Sequence, residues 1–287
     1  MSDNSSENSS NKSDTNFSPI PIQINQISFK VAPGKNLAFW EKVNAGAWEP
    51  STYKILDDFV FEHVEYIDLG AWIGSTLMYA AQIAKRSFAF EPDPLAFEEL
   101  QANLDLNSDS DWVIKTKIHN IAVAPNTGSI RLGNRGAGGD STSSVLFSNN
   151  KSQWEVKATT LEDFFKAHHI NTDNSIFIKM DIEGGEYELI PRLRNLFNSH
   201  DIALFISIHP EFLNKSLLPT SGNGIIAKVL RRLIFVWQHI RLVSGLPFKY
   251  YYFSNGMRIN IYRQVITALV RGDFLHEIVC SNRKWEV

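Results

Sequence analysis

The chain has 287 residues, 44% hydrophobic and 21% charged, enough apolar material for one large α/β domain or two small ones. With 28 Lys and Arg against 31 Asp and Glu, the net charge of −3 argues against a nucleic-acid partner held by its phosphates. One cysteine, Cys280, excludes an intrachain disulfide and a Cys-rich metal site, and fits a reducing, cytoplasmic setting.

Residues 1–16, MSDNSSENSSNKSDTN, hold nothing apolar after Met1, so the segment is expected to be a disordered tail. It has neither the apolar core of a secretion signal nor the Arg-rich amphipathic pattern of a transit peptide. Residues 17–63 are read as an N-terminal cap segment, ahead of a domain over 64–287. From Val64 strands and helices alternate. VEYIDLG (64–70) is a strand, GSTLMYAAQIAK (74–85) a helix, SFAFEP (87–92) a strand and PLAFEELQANLDLN (94–107) a helix.

WVIKTKIHNIAVA (112–124) reads as further β structure, SIRLG (129–133) as a pairing strand, and the Gly-rich stretch 133–145 as a surface loop. WEVKATTLEDFFKA (154–167) reads as a strand leading into a helix capped by Thr159 or Thr160. FIKMDI is a buried strand, with a helix expected over about 185–197, and DIALFISIHPEF (201–212) is a strand halted at Pro210. A helical insertion is expected over 213–248. Its core, AKVLRRLIFVWQHIRLV (227–243), is broken by Arg231, Arg232, His239 and Arg241, so it does not span a membrane. It either packs on its own domain or contacts a membrane surface or partner.

KYYYFSNGMRINIY (249–262) reads as a hairpin around a type I′ turn at Asn255-Gly256. The pattern predicts an α/β fold, doubly wound, with a mainly parallel sheet and an antiparallel C-terminal hairpin.

The strand tips carry the chemistry. In YIDLGAWIGST, Gly70 and Gly74 bracket Trp72, which is not the Gly-x-Gly-x-x-Gly dinucleotide fingerprint; a pyrophosphate there would meet an indole. Asp68 is a candidate acceptor for a ligand amine or water. Glu91, at the tip of the next strand, is placed to take both hydroxyls of a ribose. In IKMDIEGGEYELI, Asp181 and Glu183 sit beside Gly184-Gly185 as candidate bases or cation ligands. Lys179 shares their face, either to hold their charge or as a plain ion-pair partner. His209, in ISIHPEF, has the titration range of a general base. Asp181, His209 and Glu211 have the donor types for a divalent cation, although the sequence does not favour one.

In this order and spacing, IDLGAWIGSTLMYAA, FAFEPDP, IHNIAVAPNTGSIRL, TTLEDF, IKMDIEGGEYELI and ISIHPEF resemble the S-adenosylmethionine-dependent methyltransferases of the FkbM type. NAGAWEPST (44–52) resembles the segment preceding their first strand. The resemblance spans about residues 40–212. It implies a class I methyltransferase (Rossmann-like) sheet and methyl transfer, usually to oxygen, on a sugar, glycan or small natural product. By position it implies that Asp68, Gly70, Gly74 and Asp181 bind the methionine part of the cofactor and Glu91 its ribose. Asn120 would lie near the adenine or simply form a turn, and Glu49 would close over the amino-acid end. His209, Asp181 and Glu183 become the candidate catalytic groups. The sequence departs from the family at Trp72, where a small or polar residue is usual. A nicotinamide-dependent oxidoreductase and a non-catalytic binding module are the alternatives; Trp72 and the lack of a Tyr-x-x-x-Lys pair weigh against the first.

Overall fold

The structure, a computed structural model, describes residues 18–133, 153–217, 224–271 and 275–286. The expected tail over 1–16, most of the Gly-rich loop from 134 onward, and residues 218–223 of the expected insertion lie outside the described residues.

The described chain opens with a hairpin of β1 (Ile20–Ile24) and β2 (Ile27–Val31), then α1 (Leu37–Asn44) and α2 (Pro50–Phe59). Period-two alternation turns Ile22, Ile24, Phe29 and Val31 inward. They join Trp40, Tyr66, Leu77 and Ala89 in a single apolar cluster, so the N-terminal segment roofs one face of the main sheet. Asn103 fixes this roof by accepting from Ala32 N (2.9 Å) and donating to Ile73 O (3.0 Å).

Half of the main sheet is laid down by β3 (Val64–Leu69), α3 (Ser75–Ile83), β4 (Arg86–Phe90), α4 (Pro94–Asp105), a helical turn α5 (Asp111–Ile114) and β5 (Thr116–His119). All six positions of β3 are buried, as befits a parallel strand covered on both faces. α4 begins where the Asp93 side chain accepts from Leu95 N and Ala96 N, with Pro94 in the first turn. Residues 112–114, expected as strand, are helical. This turn buries Trp112 and brings the chain back beside β4.

A three-stranded side sheet follows, of β6 (Ala122–Val123), β7 (Gly128–Gly133) and β8 (Gln153–Thr159). Of the two candidate caps it is Thr160 whose hydroxyl accepts from Asp163 N, opening α6 (Leu161–Ala167). Next come β9 (Ser175–Met180), α7 (Glu186–Leu189), α8 (Arg194–Ser199), β10 (Asp201–Ser207) and α9 (Pro210–Ser216). The helix expected over 185–197 is split in two, because Pro191 lacks the N–H that a continuous helix needs. The remaining elements are α10 (Ile225–Ser244), β11 (Tyr250–Tyr252), α11 (Ile261–Arg271) and β12 (Glu277–Ser281).

Among the described residues seven strands form the main sheet, in the order β11-β12-β10-β9-β3-β4-β5. β10, β9, β3, β4 and β5 run parallel, and β12 is antiparallel to both its neighbours. The antiparallel partner of β11 is β12, not the segment after Asn255-Gly256. That turn exists, but only Gly256 has a positive φ (85°), Gly256 N donates to Phe253 O, and Phe253 N donates to Met257 O. A type I′ turn needs positive φ at both central residues; this is the wider turn closed by a left-handed glycine. Beyond it one bridge, Tyr252 to Arg258, precedes the start of α11.

Candidate active site

The sheet is built outward from β3 in two directions, first through β4 and β5, then through β9 and β10. The crevice outside the strand ends at such a reversal is where open α/β sheets take ligands. A cavity of about 490 Å³ lies there, within the range of small-molecule and cofactor sites. Its walls come from the C-terminal ends of four parallel strands: Gly70 to Trp72 after β3, Glu91 and Pro92 after β4, Asp181 to Glu183 after β9, and Ile208 and His209 after β10.

Trp48 and Glu49 cover it from the N-terminal segment, and Ala122, Val123 and Leu132 from the side sheet. Phe39 meets Trp48 and Trp72 edge-on, at 4.9 and 4.6 Å between ring centroids, which clamps the β3 loop to the roof.

Three non-glycine residues of the lining are held left-handed: Glu49 (φ 41°), Trp72 (φ 48°) and Glu183 (φ 52°). Such conformations cost about 1–2 kcal/mol each and gather where a site needs them. Gly70 is required for a different reason. Its φ is 83°, and a Cβ there would stand 1.9 Å from the Asp181 carbonyl oxygen, so only glycine lets β3 and β9 exit side by side.

Among the described residues seven carboxylates line the cavity, against Lys179 and two histidines. Burial raises the Glu91 carboxyl to about 7, although it accepts from Asp93 N and Trp72 N at 2.8 Å each. Burial also raises Glu49, whose Oε2 accepts from Thr52 Oγ1 at 3.2 Å.

Lys179 is buried, with Nζ 3.4 Å from Asp68 Oδ1 and 3.9 Å from Asp181 Oδ2. Burial alone would lower its pKa; Asp68, Asp181 and Glu49 outweigh that and hold it above the usual lysine range. At the tip of β10, His209 Nδ1 lies 2.7 Å from Glu186 Oε1, while Nε2 faces Asp181 Oδ1 at 3.4 Å and Glu183 Oε2 at 3.7 Å. Burial opposes the charge on His209, but these carboxylates push the imidazole up to about 9. The neutral imidazole expected from the sequence is therefore an imidazolium near neutral pH. Glu183, by contrast, is raised by burial to about 7.

Gly70, Glu91, Asp181, Glu183, His209 and Glu49 all reach the cavity. Asp68 does not line it. Fully buried, its carboxylate accepts from Tyr66 Oη and Thr76 Oγ1 at 2.8 Å each and pairs with Lys179. Gly74 also stands back, at the start of α3, where a Cβ would meet Leu100 Cδ1 at 2.4 Å. Asn120 is exposed, and its amide donates to Glu91 O (2.8 Å), steadying the β4 tip as a turn residue does. Asp181, Glu183 and His209 each present one atom within 4.8 Å of the others, a set able to hold a cation; Glu211 lines the cavity but is not part of that set. Glu186 escaped the sequence reading. The mark it left was a carboxylate directly after Gly184-Gly185, at the first position of the helix that follows.

The strand order and the site at its reversal define the class I methyltransferase architecture. The methyltransferase FkbM domain model matches residues 68–232, more than half of the chain, and the chain belongs to that family. Similar solved structures include the methyltransferase FkbM of Methylobacillus flagellatus KT, at 20% identity over 62% of this chain and 45% of that one (TM-score 0.38). This chain thus spans less than half of that protein's length. The Methanococcus jannaschii fibrillarin pre-rRNA processing protein is 14% identical over 96% of this chain and 86% of its own (TM-score 0.38). The plantazolicin methyltransferase BpumL, solved with SAH, is 11% identical over 88% and 92% (TM-score 0.35). Among curated proteins no sequence matches.

Proposed function

We propose that the chain transfers a methyl group from S-adenosylmethionine to a hydroxyl oxygen of a sugar, glycan or small natural product. The observation that carries this reading is the acidic cavity at the strand reversal. A cofactor with an ammonium and a sulfonium suits seven carboxylates, whereas a dinucleotide would set its diphosphate against them. The lysine lining the cavity is already engaged by Asp68 and Asp181. The acidic lining therefore disfavours a nicotinamide cofactor.

When bound, S-adenosylmethionine supplies the methyl group. Glu91, in its carboxylate form, accepts from the ribose hydroxyls; Glu49 and Asp181 face the cationic amino-acid end. Asp68 and Gly74 act at one remove, by holding Lys179 and seating α3, and Asn120 by fixing the β4 tip. Glu183, with a pKa near working pH, takes the hydroxyl proton as the new C–O bond forms. His209 lies against Asp181 and Glu183 and orients them through charge. The enclosed strand tips keep water from competing.

A cation in the Asp181, Glu183 and His209 set, orienting an acceptor diol, is a second reading. It is favoured by the approach of one ligand atom from each of the three side chains to within 4.8 Å of the others, and it requires His209 to give up its Nε2 proton to the solvent when the cation binds.

Calorimetric titration with S-adenosylhomocysteine and with NAD tests the cofactor. Binding of the first alone is expected; binding of NAD, or of neither, overturns the reading. Labelled methyl donor and fractionated extracts then test the acceptor, and a product methylated on nitrogen or carbon would remove the hydroxyl assignment. Dialysis against a chelator separates the two readings: activity lost and restored by magnesium selects the cation.

A further inference from the structure

Helix α10 is apolar on the wrong side as well as the right one. Phe235, His239, Leu242 and Val243 are buried against the domain. On its outward face Ile226, Val229, Leu230, Leu233, Trp237 and Ile240 are 49–85% exposed. Their spacing of three, four and seven residues makes one continuous stripe. Helix α11 packs beside α10 and adds Tyr262, Ile266 and Val270, each at least 61% exposed. Of the 15 large hydrophobic residues exposed among the described residues, 11 fall between 225 and 270. An apolar surface so concentrated marks a contact with something outside the domain.

Charge identifies that something. Of the chain's 28 Lys and Arg residues nine lie between 212 and 272, and of its 31 Asp and Glu residues none does. This stretch therefore carries +9, while the rest of the chain carries −12. Lys228 and Arg263 are exposed on the two helices, and Arg241 lies over the Trp237 ring, 5.6 Å from its centroid. A partly exposed Trp and Tyr flanked by cations is the composition of a helix lying at a lipid headgroup boundary, where each Lys or Arg adds about 1 kcal/mol on an anionic surface. No described helix is long and apolar enough to cross a membrane, so the contact is with its surface.

We infer that α10 and α11 dock the protein on an anionic lipid bilayer, Leu233, Trp237 and Ile266 entering the headgroup layer and Arg241 and Arg263 pairing with lipid phosphates or carboxylates. This docking stands apart from the chemistry proposed for the cavity. It does bring the two close, because Tyr187 Oη and His239 Nε2 meet at 3.0 Å, joining α10 to α7, whose Glu188 and Leu189 line the cavity.

Flotation of the full chain with vesicles tests it. The protein should rise with vesicles containing phosphatidylserine and should rise less with phosphatidylcholine alone. Replacement of Leu233 and Trp237 by Glu, or of Arg241 and Arg263 by Glu, should lower the bound fraction at least about tenfold. Melting temperature and S-adenosylhomocysteine titration of each variant show whether it is still folded. Failure of the wild type to rise with phosphatidylserine vesicles overturns the inference, as does undiminished binding by both folded variants. If light scattering shows an oligomer that Leu233→Glu with Trp237→Glu turns into monomer, without lipid binding by either, the face joins copies of this chain and the membrane assignment falls.

Discussion

Glu186, wholly buried behind the cavity wall, holds the wall residue His209 by an ionic contact of 2.7 Å between Oε1 and Nδ1. That contact raises the imidazole pKa, and Asp181 and Glu183 on its other side add to the effect. Glu186→Gln keeps the shape and removes the charge. The His209 pKa, followed by NMR of the ring protons, should fall from about 9 toward the ordinary 6.5. Turnover should drop more than cofactor affinity. An unmoved imidazole pKa would assign its charge to Asp181 and Glu183 alone.

The Glu91 assignment carries a pH dependence. Its carboxyl is raised from 4.5 to about 7 by burial, and only the carboxylate accepts from both ribose hydroxyls. Affinity for S-adenosylhomocysteine should therefore decline as pH falls below about 7, by up to about tenfold per unit. Folding stability moves the opposite way. The unfolded chain releases this proton first, so the contribution of Glu91 is full below pH 4.5 and is lost as pH rises toward about 7. Glu91→Gln should bind more weakly at pH 8, with a flat profile. Calorimetry across pH decides, and a variant that keeps the wild-type slope removes the ribose role.

Asp68→Asn separates a ligand from a support. The change leaves the buried Lys179 short of a counter-charge and should cost about 3 kcal/mol in denaturant unfolding. S-adenosylhomocysteine affinity should change less than that. A variant of wild-type stability that no longer binds the ligand would put Asp68 in direct contact with it.

The two glycines of the β3 loop should differ. Gly70→Ala drives a methyl into backbone at a positive φ and should cost more than about 4 kcal/mol. Gly74→Ala meets only the end of the Leu100 side chain, and its strained φ should cost about 1–2 kcal/mol. Equal melting temperatures for the two variants would contradict the packing described between β3 and β9.

Much of the site was legible because each strand tip in a parallel sheet is local in sequence. Gly70, Glu91, Asp181 and His209 each end an apolar run, and topology alone brings such ends to one crevice. The Glu186 to His209 contact joins residues from different βα units, which no local pattern encodes. Asp68 looked like its neighbours at the tips, but its side chain points into the layer occupied by Tyr66 and Thr76. In the roof, IPIQI and ISFKV alternate as hairpin strands do, yet residues 17–63 are read from the sequence only as a cap segment, and where the strands pack depends on the sheet they cover. β12, EIVCS, has the length of a strand but escapes the sequence reading, because nothing local shows that it returns to the sheet between β10 and β11.

That last strand constrains how the molecule can be assembled. Glu277–Ser281 is threaded between β10 and β11, both of which precede it in the chain. A nascent polypeptide ending before Glu277 would leave the flank of β10 unpaired and Tyr250–Tyr252 without its strand partner in the main sheet. Such an unsealed flank invites strand addition from other chains, so premature termination upstream of this point should produce aggregates rather than a smaller folded protein.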